Sequence, residues 1–357
     1  MSSRSRFQVT AALACVIAVA FALVGSDSAE SAPAERAGAA TAPGKNGRIA
    51  FRRYLDSGRS TAAIYMIKPN GKTERRITRP GHGVVDDQPD WAPDGSLLVF
   101  DRCAPNVPCA IYTVKPDGSD LTRFSPPCSA FGPGVETRCE DGEGASFLPD
   151  GRRVVYTQAT GAVREFPGYG GQIEHSDIVV RDVSGANPRV LIRSPRFHGD
   201  YLAAQFAPGG SRLVYVRGNS PLATPAGRHA LFVARADGSG QRRITPWPLD
   251  AGDHPDWSPD GRLILFRSHE GGGRQSQIYV VRHDGSGLRA LTRFPQGTTV
   301  LSYSFSPDAK WVVFSKSGRG GKPDIFVMRF DGTDIRPVTR TAAWDSAPDW
   351  GRAARGG

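Results

Sequence analysis

The chain has 357 residues, with 42 Gly and 28 Pro, 39% hydrophobic and 22% charged residues, and a formal net charge of +10. That share of Gly and Pro argues against a helical bundle, and the hydrophobic share against a wholly disordered chain. Only seven of the 45 basic residues are lysine, and no basic block of five or six occurs. The charge therefore reads as a soluble, arginine-rich surface with no nucleic-acid tract; a polyanionic partner is the alternative.

In chain order, Arg4 and Arg6 precede an apolar run from Val9 to Val24, followed by Gly25-Ser26-Asp27-Ser28-Ala29. A basic start, an apolar centre and small residues beyond it make residues 1–29 a secretory signal. Cleavage near Ser26 or Ala29 fits. An uncleaved anchor is the other reading, because the run falls just short of a comfortable span; it is the sole membrane contact expected. Cys15 follows Ala12-Leu13-Ala14, a poor lipidation signal. Residues 30–43 are rich in Ala, Pro and Gly and read as a flexible linker, and residues 352–357 as a disordered tail. Export permits disulfides. The remaining cysteines, Cys103, Cys109, Cys128 and Cys139, allow three connectivities. The simplest pairs Cys103 with Cys109 and Cys128 with Cys139, as two local staples. Neither pair has the C-x-x-C spacing of a zinc or redox site.

From residue 44 the chain repeats itself. Asp253-His254-Pro255-Asp256-Trp257-Ser258-Pro259-Asp260-Gly261 matches Asp87-Gln88-Pro89-Asp90-Trp91-Ala92-Pro93-Asp94-Gly95. Weaker copies begin at Ser146-Phe147, Gln205-Phe206 and Ser304-Phe305. Each copy runs into an apolar stretch, then a second one such as Ile64-Tyr65-Met66-Ile67 or Ile278-Tyr279-Val280-Val281. Asp-Gly or Asn-Gly turns follow in most, and a short run such as Arg243-Ile244-Thr245 ends the unit. Such dipeptides supply the positive φ of tight hairpins, and β-branched and aromatic runs suit strands. Each unit thus predicts four short antiparallel strands, a to d, or one propeller blade.

Six such units span residues 44–351, which makes the fold class all-β, a six-bladed β-propeller of four-stranded antiparallel blades. The first unit lacks the Pro-Asp-Trp strand, since Gly47-Arg48-Ile49-Ala50-Phe51 opens directly as strand b. The missing piece is Asp345-Ser346-Ala347-Pro348-Asp349-Trp350-Gly351 near the C-terminus. The C-terminal strand is therefore expected to pair into the first blade and close the ring, removing an exposed seam.

The Pro-x-Trp-Ser-Pro-Asp-Gly repeats resemble those of the TolB-like six-bladed β-propellers, over about residues 44–351. The resemblance implies the fold strongly and function weakly, because propellers host scaffolds, binders and enzymes alike. TolB proper carries an α/β domain before its propeller, whereas here only the stretch from Ser31 to Gly44 lies between the signal and the first blade.

Strand parity assigns the tight a–b and c–d turns to one end and the b–c and d–a connections to the other. The second end carries the long insertions, Gln158 to Ser176, Arg217 to His229 and Phe124 to Gly142, and both cysteine pairs. Function on a rigid scaffold tends to sit on such loops. Just before strand a, Asp87, Glu143 and Asp253 recur four residues ahead of Trp91, Phe147 and Trp257. Asp86 and His254 flank them, and Asp345 lies close to register. One reading is a ring of ligands at the channel mouth that binds a cation or a basic group. The other is that each acid hydrogen-bonds the neighbouring blade's loop. The aromatic residues at the repeat position read as inter-blade packing. Thr78-Arg79, Thr122-Arg123, Thr292-Arg293 and Thr339-Arg340 recur at the outer strand, where charge protects a sheet edge.

No nucleophile elbow, zinc-protease, phosphate-loop or dinucleotide fingerprint occurs, so no catalytic residue, metal ligand or cofactor is assigned. Six of the seven histidines fall on the loop-rich end, which keeps an enzyme open. The reading is an exported protein, periplasmic, envelope-associated or secreted, that acts as a monomeric binding scaffold for an envelope protein or polymer. The alternative is a carbohydrate-active lyase or hydrolase with its site in the same mouth.

Overall fold

The computed structural model describes residues 41–354 apart from 106–108, 125–141, 167–169, 197–200, 220–227, 269–275 and 319–320. Its strands build six four-stranded antiparallel blades, the first two joined by one parallel bridge between Ala62 and Val85. The first contains β24 (Asp345–Arg352), β1 (Asn46–Tyr54), β2 (Ala62–Ile67) and β3 (Arg75–Arg76). The second contains β4 (Val85–Trp91), β5 (Leu98–Cys103), β6 (Ala110–Val114) and β7 (Thr122–Arg123). In the third are β8 (Gly142–Phe147), β9 (Arg153–Phe166), β10 (Gly170–Asp182) and β11 (Arg189–Ile192). In the fourth are β12 (Tyr201–Phe206), β13 (Arg212–Gly218), β14 (His229–Arg235) and β15 (Arg242–Arg243). The fifth holds β16 (Ala251–Trp257), β17 (Leu263–Ser268), β18 (Gln277–Arg282) and β19 (Arg289–Ala290). The sixth holds β20 (Thr299–Phe305), β21 (Trp311–Ser317), β22 (Asp324–Arg329) and β23 (Arg336–Pro337).

The ring closes as the repeat predicts. β24 pairs antiparallel with β1, setting Trp350 opposite Ile49 and Asp345 opposite Arg53. The closing strand reaches Arg352, and the Ala353 N–H donates to the Lys45 carbonyl at 2.8 Å. At the other end of the chain, Thr41 and Ala42 of the stretch read as a linker are buried.

The core is six wedges, each between two successive blades. Val214, Val216 and Leu231 of the fourth blade meet Trp257, Ile264 and Phe266 of the fifth. Across the closure, Val313, Ile325 and Val327 meet Ile49, Phe51 and Trp350. A middle strand is thus buried on both faces, which explains continuous apolar runs such as Leu263-Ile264-Leu265-Phe266 in place of strict alternation.

The tight turns also join blades. Gly118, Gly285 and Gly332 take φ of 86°, 83° and 86°, a conformation that favours glycine. A Cβ on Gly118 would sit 2.8 Å from the Ile77 carbonyl oxygen of the preceding blade, and one on Gly332 2.7 Å from that of Leu291.

At the loop-rich end, Cys103 and Cys109 form a disulfide across the b–c connection of the second blade. Cys128 and Cys139 lie outside the described residues. The expected insertion Gln158 to Ser176 is largely a β-ribbon: β9 and β10 stay paired from Gln158 opposite Asp177 to Phe166 opposite Gly170.

Candidate functional site at the channel mouth

Strand a breaks register near its middle in every blade. The pairing shifts between Asp87 and Asp90, Glu143 and Ser146, Leu202 and Gln205, Gly252 and Asp256, and Val300 and Ser302. At the closure it shifts between the partners of Ala50 and Arg52. Gln88, Gly144, Ala203 and Ala347 have φ of 51°, 66°, 47° and 52°. A bulge bends its strand and re-aims its side chains, so consecutive residues can border one space.

Three successive residues from each blade line the cavity, in three tiers. The rim is Gln88, Gly144, Ala203, His254, Ser302 and Ala347. A collar of Pro89, Ala145, Ala204, Pro255, Tyr303 and Pro348 follows. The floor is Asp90, Ser146, Gln205, Asp256, Ser304 and Asp349. The space measures about 570 Å³, including its opening to solvent.

The floor is a hydrogen-bonded belt. Asp349 accepts the Trp91 N–H of the next blade at 2.9 Å, and Asp90 accepts that of Phe147 at 2.9 Å. Gln205 accepts the Trp257 N–H at 2.9 Å, and Asp256 that of Phe305 at 2.6 Å. Within the belt, Ser304 donates to Asp349 at 2.8 Å and Gln205 to Asp256 at 3.2 Å. From below, the Thr41 hydroxyl donates to Asp256 at 3.1 Å, while the Gly44 N–H donates to the Pro307 carbonyl at 3.0 Å. The residues just before the first blade thus cover the underside of the floor.

Three carboxyls share this floor without a cationic partner among the described residues. Burial, then the charge of Asp349, pushes Asp256 up to about 7. The same two causes, in that order, hold Asp90 well above the usual carboxylate range, and burial raises Asp349. Like charges in a poorly solvated space retain protons for this reason. At the rim, His254 lines the cavity. Burial lowers its pKa, a shift that Asp87 opposes and Arg52 reinforces. A Cβ on Gly144 would lie 3.5 Å from His254 Nε2, so the ring reaches from the fifth blade to the third.

The acids singled out in the sequence divide. Asp86 is fully buried and accepts Arg102 Nε and a terminal nitrogen at 2.5 and 2.8 Å. Asp345 accepts Arg53 in the same way at 2.6 and 2.8 Å. Each is the direct cross-strand partner of its arginine. The arginines also lie 4.7 Å over Tyr112 and Tyr65. Asp87 pairs with Arg52 of the first blade, whose Nε also donates to Ser346 at 3.1 Å. Asp87 and His254 therefore come together electrostatically at the mouth, whereas Asp86 and Asp345 turn into their own sheets. The backbones of Glu143 and Asp253 lie in β8 and β16 at the same height, and their side chains are outside the described residues.

The floor acids stand in the repeat itself, as the Asp of Pro-Asp-Trp, with no sequence signal that sets them apart from a structural motif. The motif was legible; the bulge that turns it toward the axis was not. Among the described residues, no group of three His, Cys, Asp or Glu is arranged to hold a metal ion.

No family model and no curated protein matches the chain. Among solved structures, TolB from Acinetobacter baumannii is similar at 17% identity and a TM-score of 0.64, covering 87% of this chain and 68% of that one. A putative TolB from Agrobacterium tumefaciens matches at 17% identity and a TM-score of 0.57, covering 86% of this chain and 99% of that one. An oligogalacturonate lyase in complex with manganese matches at 14% identity and a TM-score of 0.50, covering 85% and 78%. At these identities the likeness is one of fold, and the chain is a six-bladed propeller built like that of TolB.

Proposed function

We propose that the chain is an exported, non-catalytic propeller that serves as a binding scaffold at the cell envelope and takes a cationic group of its partner into the channel mouth. The observation that carries this reading is the floor of the cavity. Asp90, Asp256 and Asp349 lie at one level, all with raised pKa, behind a collar rich in proline and alanine. An entering positive charge offsets the burial and mutual repulsion that hold protons on them. An aliphatic ammonium group suits both parts, with its stem in the collar and its charge on the floor. Asp87 and His254 border the way in, with Glu143 and Asp253 of neighbouring strands. The leader-like N-terminus and the TolB-like fold support an envelope location.

The test is calorimetric titration of the full chain with a short lysine peptide and its Nε-acetylated form, in two buffers of different ionisation enthalpy. The lysine peptide is expected to bind with proton release, the acetylated form to give no heat, and Asp349→Asn to weaken binding at least tenfold. Equal heats from both peptides, or none from either, overturn the reading. Turnover of an acidic polysaccharide that Asp256→Asn abolishes would replace it with the carbohydrate-active alternative.

A further inference from the structure

We propose that the outer corner of the fifth, sixth and first blades at the loop-rich end is a docking surface for an acidic polysaccharide. The surface is distinct from the channel mouth and does not depend on its ligand.

The corners are built alike. In the first, fifth and sixth blades strand d runs into a buried threonine whose hydroxyl oxygen accepts a strand-c N–H. Thr78 accepts that of Ile64 at 2.9 Å, Thr292 that of Ile278 at 3.0 Å and Thr339 that of Ile325 at 2.9 Å. The anchor fixes the backbone there, and the next residue is an exposed arginine: Arg79, Arg293 and Arg340. None of the three has an ion-pair or hydrogen-bond partner among the described residues. The third and fourth blades depart from this pattern, and the second-blade corner lies outside the described residues. Thr245 makes the same anchor to Leu231 but is followed by Pro246. Arg193 of the third blade pairs with Asp177 at 3.2 Å. Among the described residues the uncompensated guanidiniums thus occupy one arc across the ring closure.

Among the described residues, neighbouring acids do not neutralise the arc. Asp345 and Glu74 share Arg53. Asp324 accepts the Thr339 hydroxyl and the Thr341 N–H at 3.1 Å each, and Asp56 accepts the Thr61 N–H at 2.7 Å. Lys322 adds charge beside Arg340, donating to the Ala342 carbonyl at 2.7 Å. At the seam the Arg59 guanidinium lies 4.6 Å over the half-buried Trp344 ring, with Tyr54 edge-on to it. Guanidinium groups bind planar carboxylates bidentately, and an indole offers a surface for the C–H face of a sugar ring. That pairing of platform and charge favours a uronate-bearing glycan over a lipid surface or a nucleic acid.

Binding of the full chain to fluorescent alginate, dextran, single-stranded oligothymidylate and phosphatidylglycerol vesicles tests this, at low and at moderate salt. Alginate is expected to bind and to weaken about tenfold or more as salt screens the contacts. The triple variant Arg79→Gln, Arg293→Gln, Arg340→Gln is expected to lose at least tenfold in affinity. The charge-matched triple at the tight-turn end, Arg212→Gln, Arg262→Gln, Arg282→Gln, is expected to stay within twofold. Trp344→Ala is expected to weaken alginate binding while leaving its salt dependence in place. Equal losses in the two triples would assign binding to net charge alone and sink the proposal. So would no alginate binding, or tighter binding of vesicles or oligothymidylate through the same three arginines.

Discussion

Two tiers of carboxylates on the same inner strands, four residues apart, have opposite physics. Asp86 and Asp345 lie at the outer ends of β4 and β24, each facing its own arginine across the sheet. Asp90 and Asp349, further along the same strands, face each other and Asp256 around the axis. The first tier is charge-matched and holds strands a and b together. The second is mismatched and accepts N–H groups from the next blade. A carboxylate repeated by sequence is therefore not one kind of site; the strand position relative to the bulge decides whether it is paired or poised.

Removing a paired acid should have the largest effect. Asp86→Ala leaves the mostly buried Arg102 without its ion partner, at a cost of about 3–5 kcal/mol in unfolding free energy. Urea unfolding monitored by tryptophan fluorescence reads it. A loss below about 1 kcal/mol would place Asp86 in the same class as the floor acids.

Asp349→Asn should act with the opposite sign. Its amide can still accept the Trp91 N–H and meet the Ser304 hydroxyl, and the charge felt by Asp90 and Asp256 disappears. The sign follows from linkage. Asp256 titrates at about 7 in the folded chain, against about 4 for an unfolded aspartate, so the native state binds more protons between those values. The corresponding stability is full below about pH 4 and is lost as pH rises to about 7. The variant is expected to gain about 1–3 kcal/mol over the parent at pH 8 and almost nothing at pH 4. A gain independent of pH would refute the coupling.

Thr41→Val should give the smallest change, about 0.5–1.5 kcal/mol of lost stability, by deleting one buried donor to Asp256. The Asp256 carboxyl should then titrate higher, which carbon NMR of the labelled side chain can follow. An unchanged titration would separate the segment below the floor from the acids above it.

The unit count, the strand order and the ring closure were all legible in the sequence. Each is announced locally, by Asp-Gly turns, by apolar runs, and by a Pro-Asp-Trp strand missing at one end and present at the other. The staple between Cys103 and Cys109 was legible for the same reason, since a short loop leaves little choice. The candidate site was legible only in part. His254 lines the cavity, and Asp87, one residue before the rim on its own strand, pairs with Arg52. Asp86, one residue away from Asp87, turns into its own sheet, because its partner Arg102 belongs to a different strand and the pairing depends on register.

The amino-acid order by itself determined a six-fold repeat and its closure, because those follow from periodicities within one blade. Only the tertiary structure decided which carboxylates face arginine and which face one another. That choice rests on the register shift in strand a and on the approach of six blades to a common axis, distances that no spacing along the chain encodes. Thr41 makes the same point: it touches Asp256 and Ser304, more than two hundred residues away, solely because the ring brings them together.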